Sequence, residues 1–265
     1  GSVMDIAKLC SILKNASYTV KDLLKNPALG NKQIKSLMIP TTCGTGSETT
    51  CNSIVSIPEE GLKVGIVNNS LIPDYVILDP TMIEKLPKKL IASTGVDALA
   101  HCVECLTSKK ANPFSDLYAL AGGELIFNNI RKAYLNPDDM EAKTNMLIGA
   151  FYGGIAITSS GTTAVHALSY PLGGRYHIPH GESNQLVFIS VFKKYKEKQP
   201  NGKIEKLEVK SQELERTTEE LELKREEIDK IRLQQENELE RISGLSKVEA
   251  RDILIAKLRD DLTHE

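Results

Sequence analysis

From residue 205 to the C-terminus, 30 of 61 positions are Lys, Arg, Asp or Glu, and that stretch contains no proline, cysteine or methionine. A segment that is half charged cannot lay a broad apolar face on a core, so it obeys different folding rules from the residues before it. Leu207, Leu214, Leu221 and Ile228 recur every seven residues within it, and Ile231, Leu239 and Ile242 prolong the stripe. This is the seam of a long helix with a coiled-coil repeat. The second seam position holds Lys210, Thr217 and Lys224, which weakens any pairing and leaves a single solvated helix as the competing reading. A helix over 207–242 would be a rod about 54 Å long at 1.5 Å per residue. Gly244 ends it, and Ser246 to Glu249 reads as a capping box opening a further helix. The turn Pro200-Asn201-Gly202 is the natural joint to the preceding part.

The rest of the chain has the composition of an ordinary globular protein. Hydrophobic residues make up 41% of the whole and the net charge is −2, so neither nucleic acid nor an anionic membrane is expected as a partner. No apolar run approaches the roughly 18 residues of a membrane span, and the N-terminus lacks the basic start of a secretory leader. Five scattered cysteines, an odd number, fit reduced thiols and a cytoplasmic location better than a disulfide framework. Cys102 and Cys105 form a C-x-x-C inside a helical pattern, which reads as a redox pair, a zinc half-site or two small helix residues.

Periodicity places a helix over Val3 to Leu13, a buried strand at Ser36 to Ile39, a hairpin of Ser53–Ile57 with Leu62–Val67, and a strand at Tyr75 to Leu78. From Pro87 the pattern is helical: Lys88–Leu106, Asn112–Ile130, Met140–Ile157, Thr163–Leu172 and Ser183–Lys198. The expected architecture is an α/β remnant of a dinucleotide-binding domain (1–86), an all-α metal-binding domain (87–202) and a long helical, coiled-coil-like C-terminal arm (203–265).

Asp97 and His101 are four apart on one predicted helix and so share a face. His166 and His180 follow, fourteen apart. One carboxylate and three imidazoles make a mixed O/N donor set suited to Fe²⁺ or Zn²⁺, although spacing alone leaves four unrelated polar residues as an open reading. The motifs around them carry more. Thr94-Gly95-Val96-Asp97-Ala98-Leu99-Ala100-His101 is similar to the first signature of the iron-containing, NAD-dependent alcohol dehydrogenases. The stretch His166 to Gly181 resembles their second signature, and Pro40 to Glu48 (PTTCGTGSE) their cofactor loop. The three occur in family order, and residues 166–182 with 195–203 are most similar to the 4-hydroxybutyrate dehydrogenase branch.

The resemblance implies that Asp97, His101, His166 and His180 hold the metal, iron with zinc also able to serve. It implies hydride transfer between a primary alcohol and NAD, with a small alcohol or aldehyde as substrate. Where many members carry a further histidine four residues after the ligand equivalent to His166, this chain has Tyr170, which leaves His177 as a substitute candidate for the proton path, with a histidine that only lines the pocket or bonds a backbone carbonyl as the other reading. Gly1, Ser2 and Asp5 resemble the end of the family's glycine-rich turn and the helix after it; backbone N–H groups at such a helix start hold a pyrophosphate. Thr41, Thr42 and Ser47 resemble contacts to the cofactor's phosphates and ribose, and Lys63 the lysine on its nicotinamide side. The family's first strands, expected before Gly1, and its helices, expected after Lys203, are absent from this sequence, which implies an impaired cofactor site. The segment from Leu239 to Glu265 resembles the coiled-coil linker of ribonuclease Y without any of that family's catalytic parts, so the chain reads as a chimera. Two functions stand at this point: an oxidoreductase, and a non-catalytic interaction protein in which a degraded dehydrogenase core carries a helical dimerisation arm.

Overall fold

The computed structural model describes residues 2–57, 59, 61–198 and 227–231. Helix α1 (Ser2–Leu13) turns Lys8, Ser11 and Ile12 inward. Thr19 and Asp22 cap each other reciprocally at the start of α2 (Val20–Lys25), which satisfies two backbone donors of a helix too short to persist alone. Strand β1 (Leu37–Met38) is followed by β2 (Asn52–Ile57) and β3 (Leu62–Val67), an antiparallel pair in register from Asn52↔Val67 to Ile57↔Leu62. Strand β4 (Tyr75–Val76) pairs parallel with β1 through Leu37↔Tyr75 and Met38↔Val76. Ile12, Leu23, Ile66 and Leu71 close a small core beneath the hairpin.

The remaining helices are α3 (Lys88–Thr107), α4 (Pro113–Leu135), α5 (Met140–Ser160), α6 (Ala164–Arg175) and α7 (His180–Lys198). The main core lies between α3, α4 and α5, where Ala98, Cys102 and Cys105 meet Ala119, Ile126, Met146, Leu147 and Ala150. A third cluster, Ala100 with Val165 and Val191, fixes α6 and α7 on α3. Among the described residues, α3 alone is long and apolar enough to cross a membrane by length and composition. It is a core helix here, since 67% of its most apolar window is buried.

Several expectations shift. The strand expected at 36–39 shrinks to two residues, and only Met38 is buried; with one described neighbour, β4, the flanking Leu37 and Ile39 stay exposed. Helices α4, α5 and α6 run three to five residues past their expected ends; α6 continues through Pro171, which costs it one backbone N–H. Helix α7 starts at His180 rather than Ser183, which puts that histidine on a helix and not in a loop. Cys102 and Cys105 are free thiols in the main core. Burial pushes both upward, Cys105 to about 12, so neither offers a thiolate at neutral pH.

Gly1–Ser211 form one compact unit and Gln212–Glu265 a second. In the second, residues 227–231 are described and helical, and they include Ile228 and Ile231 of the heptad stripe. Leu207, Leu214, Leu221, Leu239, Ile242, the Ser246–Glu249 capping box and the joint at 200–202 lie outside the described residues.

Candidate metal centre and cofactor cavity

Asp97 and His101 project from one face of α3, a turn apart, and Glu104 continues that face; all three are buried. His166 enters from the first turn of α6, and His180 opens α7. The docking of α7 depends on the residue after His180. A Cβ on Gly181 would lie 2.4 Å from the Ser93 carbonyl oxygen, so the helix can start against the backbone of α3 only with glycine there. The loop at residues 40–48, expected from the sequence to face the cofactor, is seated in the same way. Gly46, at φ +59, packs on Gly154 of α5, where an added Cβ on Gly46 would come within 2.7 Å of the Gly154 Cα.

Candidate donor atoms of Asp97, His101 and His166 come within 4.8 Å of one another as a result, and His180 approaches the same group through Asp97. Asp97 Oδ1 lies 3.7 Å from His101 Nε2, 3.6 Å from His166 Nε2 and 3.6 Å from His180 Nε2. These separations exceed an ordinary N–H···O hydrogen bond. They are close to the edge of a tetrahedron built on metal–ligand bonds of about 2.1 Å, which is roughly 3.4 Å. Asn184 supports the same reading. Its Nδ2 is 2.5 Å from Asp97 Oδ1, 3.3 Å from His166 Nε2 and 3.5 Å from His180 Nε2, so the electropositive end of the amide points into the middle of the donors. Asn184 Oδ1 and His101 Nδ1 are both buried without a hydrogen-bond partner among the described residues. The residues fit a divalent cation.

The electrostatics favour a positive charge among these residues. Burial pushes the Asp97 carboxyl up, but His101, His180 and His166 around it outweigh burial and hold it well below the usual carboxylate range. Burial pulls His101 down to about 4 and also lowers His180, against the pull of Asp97. Burial acts downward on His166 too, yet hydrogen bonds to Asp97 and Glu104 raise it to about 9. The rings of His101 and His166 stack at 4.6 Å and 18°, an arrangement that two imidazolium ions would resist.

A cavity of about 280 Å³ holds this cluster and is lined also by Ser2, Asp5, Ser47, Lys63 and Tyr170. Ser47 Oγ donates to Asp5 Oδ1 at 3.0 Å, and burial raises the Asp5 carboxyl. The structure thus brings Ser2, Asp5, Ser47 and Lys63 together with Asp97, His101, His166 and His180. Thr41 and Thr42 do not line this cavity, Thr41 being exposed, and Gly1 lies outside the described residues. His177 is exposed, at φ 55, and lines a neighbouring space of about 380 Å³ with Gly173, Gly174 and Pro179. Tyr170 shares the cavity of the Asp97–histidine cluster, with its ring 6.0 Å from that of His180. Lys63 borders both spaces. Sequence reading missed Glu104 and Asn184. The available signals were helical: Glu104 is seven residues after Asp97, and Asn184 four after His180.

Comparison with known proteins gives the family. The model of the iron-containing alcohol dehydrogenases matches residues 1–80, and that of the C-terminal part of the Fe-containing alcohol dehydrogenase family matches residues 91–260. The second match runs into the charged segment that composition sets apart. The chain is 43% identical over 210 residues to 4-hydroxybutyrate dehydrogenase of Clostridium kluyveri, covering 77% of this chain and 55% of the relative. It is 40% identical to long-chain-alcohol dehydrogenase 1 of Geobacillus thermodenitrificans, over 71% of this chain and 48% of the relative. The crystal structure of an iron-containing alcohol dehydrogenase from Thermotoga maritima superposes with a TM-score of 0.71 at 37% identity, covering 78% of this chain and 56% of that one. A sulfoacetaldehyde reductase from Bifidobacterium kashiwanohense, solved with NAD⁺, superposes at 0.65 with 33% identity, over 70% and 50% of the two chains. The chain spans about half the length of the curated relatives it matches. With two family models covering most of its length and a shared fold at this identity, the chain belongs to the iron-containing alcohol dehydrogenase family.

Proposed function

We propose that Asp97, His101, His166 and His180 hold a divalent metal, iron or zinc, and that the cavity transfers a hydride between a primary alcohol and NAD. The observation that carries this reading is the convergence of three imidazole Nε2 atoms on one carboxylate oxygen at 3.6–3.7 Å, inside a cavity that Asp5, Ser47 and Lys63 also line. The bound metal supplies Lewis acidity toward the substrate oxygen. The chain's residues do the rest. Burial of Asp97, His101 and His166 keeps water from the donors and strengthens their field. Tyr170 offers a phenol O–H beside His180 where the substrate oxygen would lie. Lys63 makes no ion pair among the described residues and would face the nicotinamide end of the cofactor, with Ser2, Asp5 and Ser47 toward its ribose and phosphates. A proton path through His177 would pass Ser56 or Lys63, which both border the two cavities.

The first substrate to test is 4-hydroxybutyrate, since the relative from Clostridium kluyveri carries that name. We assign residues 1–86 to cofactor binding, 87–202 to the metal, and 203–265 to a helical arm through which two copies would pair. Metal content of the purified chain and of His180→Ala, followed by NADH formation from 4-hydroxybutyrate, tests the reading. It expects a metal in the parent and little in the variant. Equal content in both, or none in the parent, would overturn it. A metal-loaded parent that forms no NADH with any primary alcohol would favour the interaction-protein reading.

A further inference from the structure

The carboxylate of Glu104 is fully buried and does two things at once. Its Oε1 accepts from the backbone N–H of Thr163 at 2.9 Å and of Val165 at 2.7 Å, and from Thr163 Oγ1 at 3.0 Å. Thr163 makes no side-chain cap of its own, so a residue of α3 caps α6. Glu104 Oε2 meets His166 Nδ1 in a short hydrogen bond. An ionised carboxylate only accepts, so Nδ1 carries the proton and a neutral His166 has its lone pair on Nε2. That Nε2 is the atom 3.6 Å from Asp97 Oδ1. His101 Nδ1, by contrast, has no hydrogen-bond partner among the described residues.

We propose that Glu104 is the positioning carboxylate of this centre: by accepting the Nδ1 proton of His166 and capping the helix that carries it, Glu104 sets the tautomer and aim of one donor. The inference rests on the assignment of His166 as a metal donor. It requires the same α3 face to supply a first donor (Asp97), a second (His101) and the support of a third. Carboxylate–histidine–metal relays of this kind hold ring orientation and donor basicity, and their loss costs about 10–100-fold in affinity.

Two substitutions separate positioning from mere structure. In Glu104→Gln the backbone donors of α6 still need an acceptor, so the amide oxygen takes the Oε1 place and the amide N–H₂ faces His166 Nδ1. That forces the proton onto Nε2, the wrong tautomer for binding. In Glu104→Ala the cap is lost, but His166 is free to choose. Positioning therefore predicts opposite orders: Glu104→Gln loses more metal affinity, Glu104→Ala more thermal stability. The measurements are Zn²⁺ affinity by chelator competition on the full chain, melting temperature without metal, and the imidazole ¹⁵N shifts of the metal-free protein at a pH above the raised His166 value of about 9, where the ring is neutral. Wild type should show His166 protonated at Nδ1, and Glu104→Gln should show the Nε2–H form with Zn²⁺ affinity down about 10–100-fold. If Glu104→Ala does not fold, the shifts and affinity of Glu104→Gln decide alone. Wild-type affinity and an unchanged tautomer in Glu104→Gln would overturn the role of Glu104. A wild-type chain that binds no Zn²⁺ would overturn the metal assignment itself, and this inference with it.

Discussion

Replacing Gly181 by alanine sets local and tertiary physics against each other. Gly181 is the second residue of α7, where alanine is the better helix former by about 1 kcal/mol. On propensity alone the variant should be more stable. The tertiary contact says otherwise. The new Cβ would lie 2.4 Å from Ser93 O and 2.8 Å from Ser93 C, both backbone atoms of a core helix. Carbon rarely approaches a carbonyl oxygen closer than about 3.3 Å, so α7 and α3 must part by roughly 1 Å. Overpacking of this kind costs about 1–3 kcal/mol, which in a chain this long lowers the melting temperature by about 2–10 °C. His180 moves with Gly181, while metal distances tolerate only about 0.2 Å. Metal affinity should therefore fall at least about tenfold although no donor is replaced. Differential scanning calorimetry and Zn²⁺ competition on the purified chain measure both. Gly65→Ala is the control, because its added Cβ would meet only the movable Ile54 Cδ1, at 3.3 Å. A Gly181→Ala protein with a raised melting temperature and intact metal affinity would refute the claim that this close approach positions His180.

Lys8 is fully buried, and its Nζ donates to Thr50 O, Thr50 Oγ1 and Asn52 O at 2.8–2.9 Å. Burial outweighs the attraction of Asp5 and Glu48 and lowers it from 10.5 to about 8. Below that value both folded and unfolded states are charged, so the full penalty of about 3 kcal/mol applies; between about 8 and 10.5 the unfolded chain binds the extra proton, and stability rises with pH. Urea unfolding of wild type and Lys8→Met from pH 7.5 to 9.5 should show their stability difference moving in favour of wild type by about 2 kcal/mol, and a flat difference would refute the shift. Ile126→Ala should cost about 2–5 kcal/mol in the same assay, because Ile126 is fully buried in the main core against Gly149. Lys63→Met should weaken NADH binding about 10–100-fold, the worth of a charged hydrogen bond, in a fluorescence titration; an unchanged affinity would remove Lys63 from the cofactor site.

The helical identity of residues 88–198 was legible in the sequence because apolar periodicity and caps are local properties. So was the pairing of Asp97 with His101, since i, i+4 on a helix fixes a shared face wherever that helix packs. The signatures around His166 and His180 named two further candidate donors by resemblance. What periodicity does not encode is how closely elements approach. The meeting of α3, α6 and α7 rests on contacts such as Gly181 on Ser93, and the seating of the cofactor loop on Gly46 against Gly154. A glycine that permits a 2.4 Å approach looks the same in sequence as one that only ends a turn. For that reason the supporting groups escaped notice: Glu104 and Asn184 are ordinary polar residues at helical spacing until α6 and α7 are brought against them. The division between Tyr170 and His177 has the same origin. Both stand near the donors in sequence, but the end of α6 leaves Tyr170 facing the donors and turns His177 into the neighbouring space. Spacing along one helix determined half of the proposed donor set; packing between helices decided which atoms face one another.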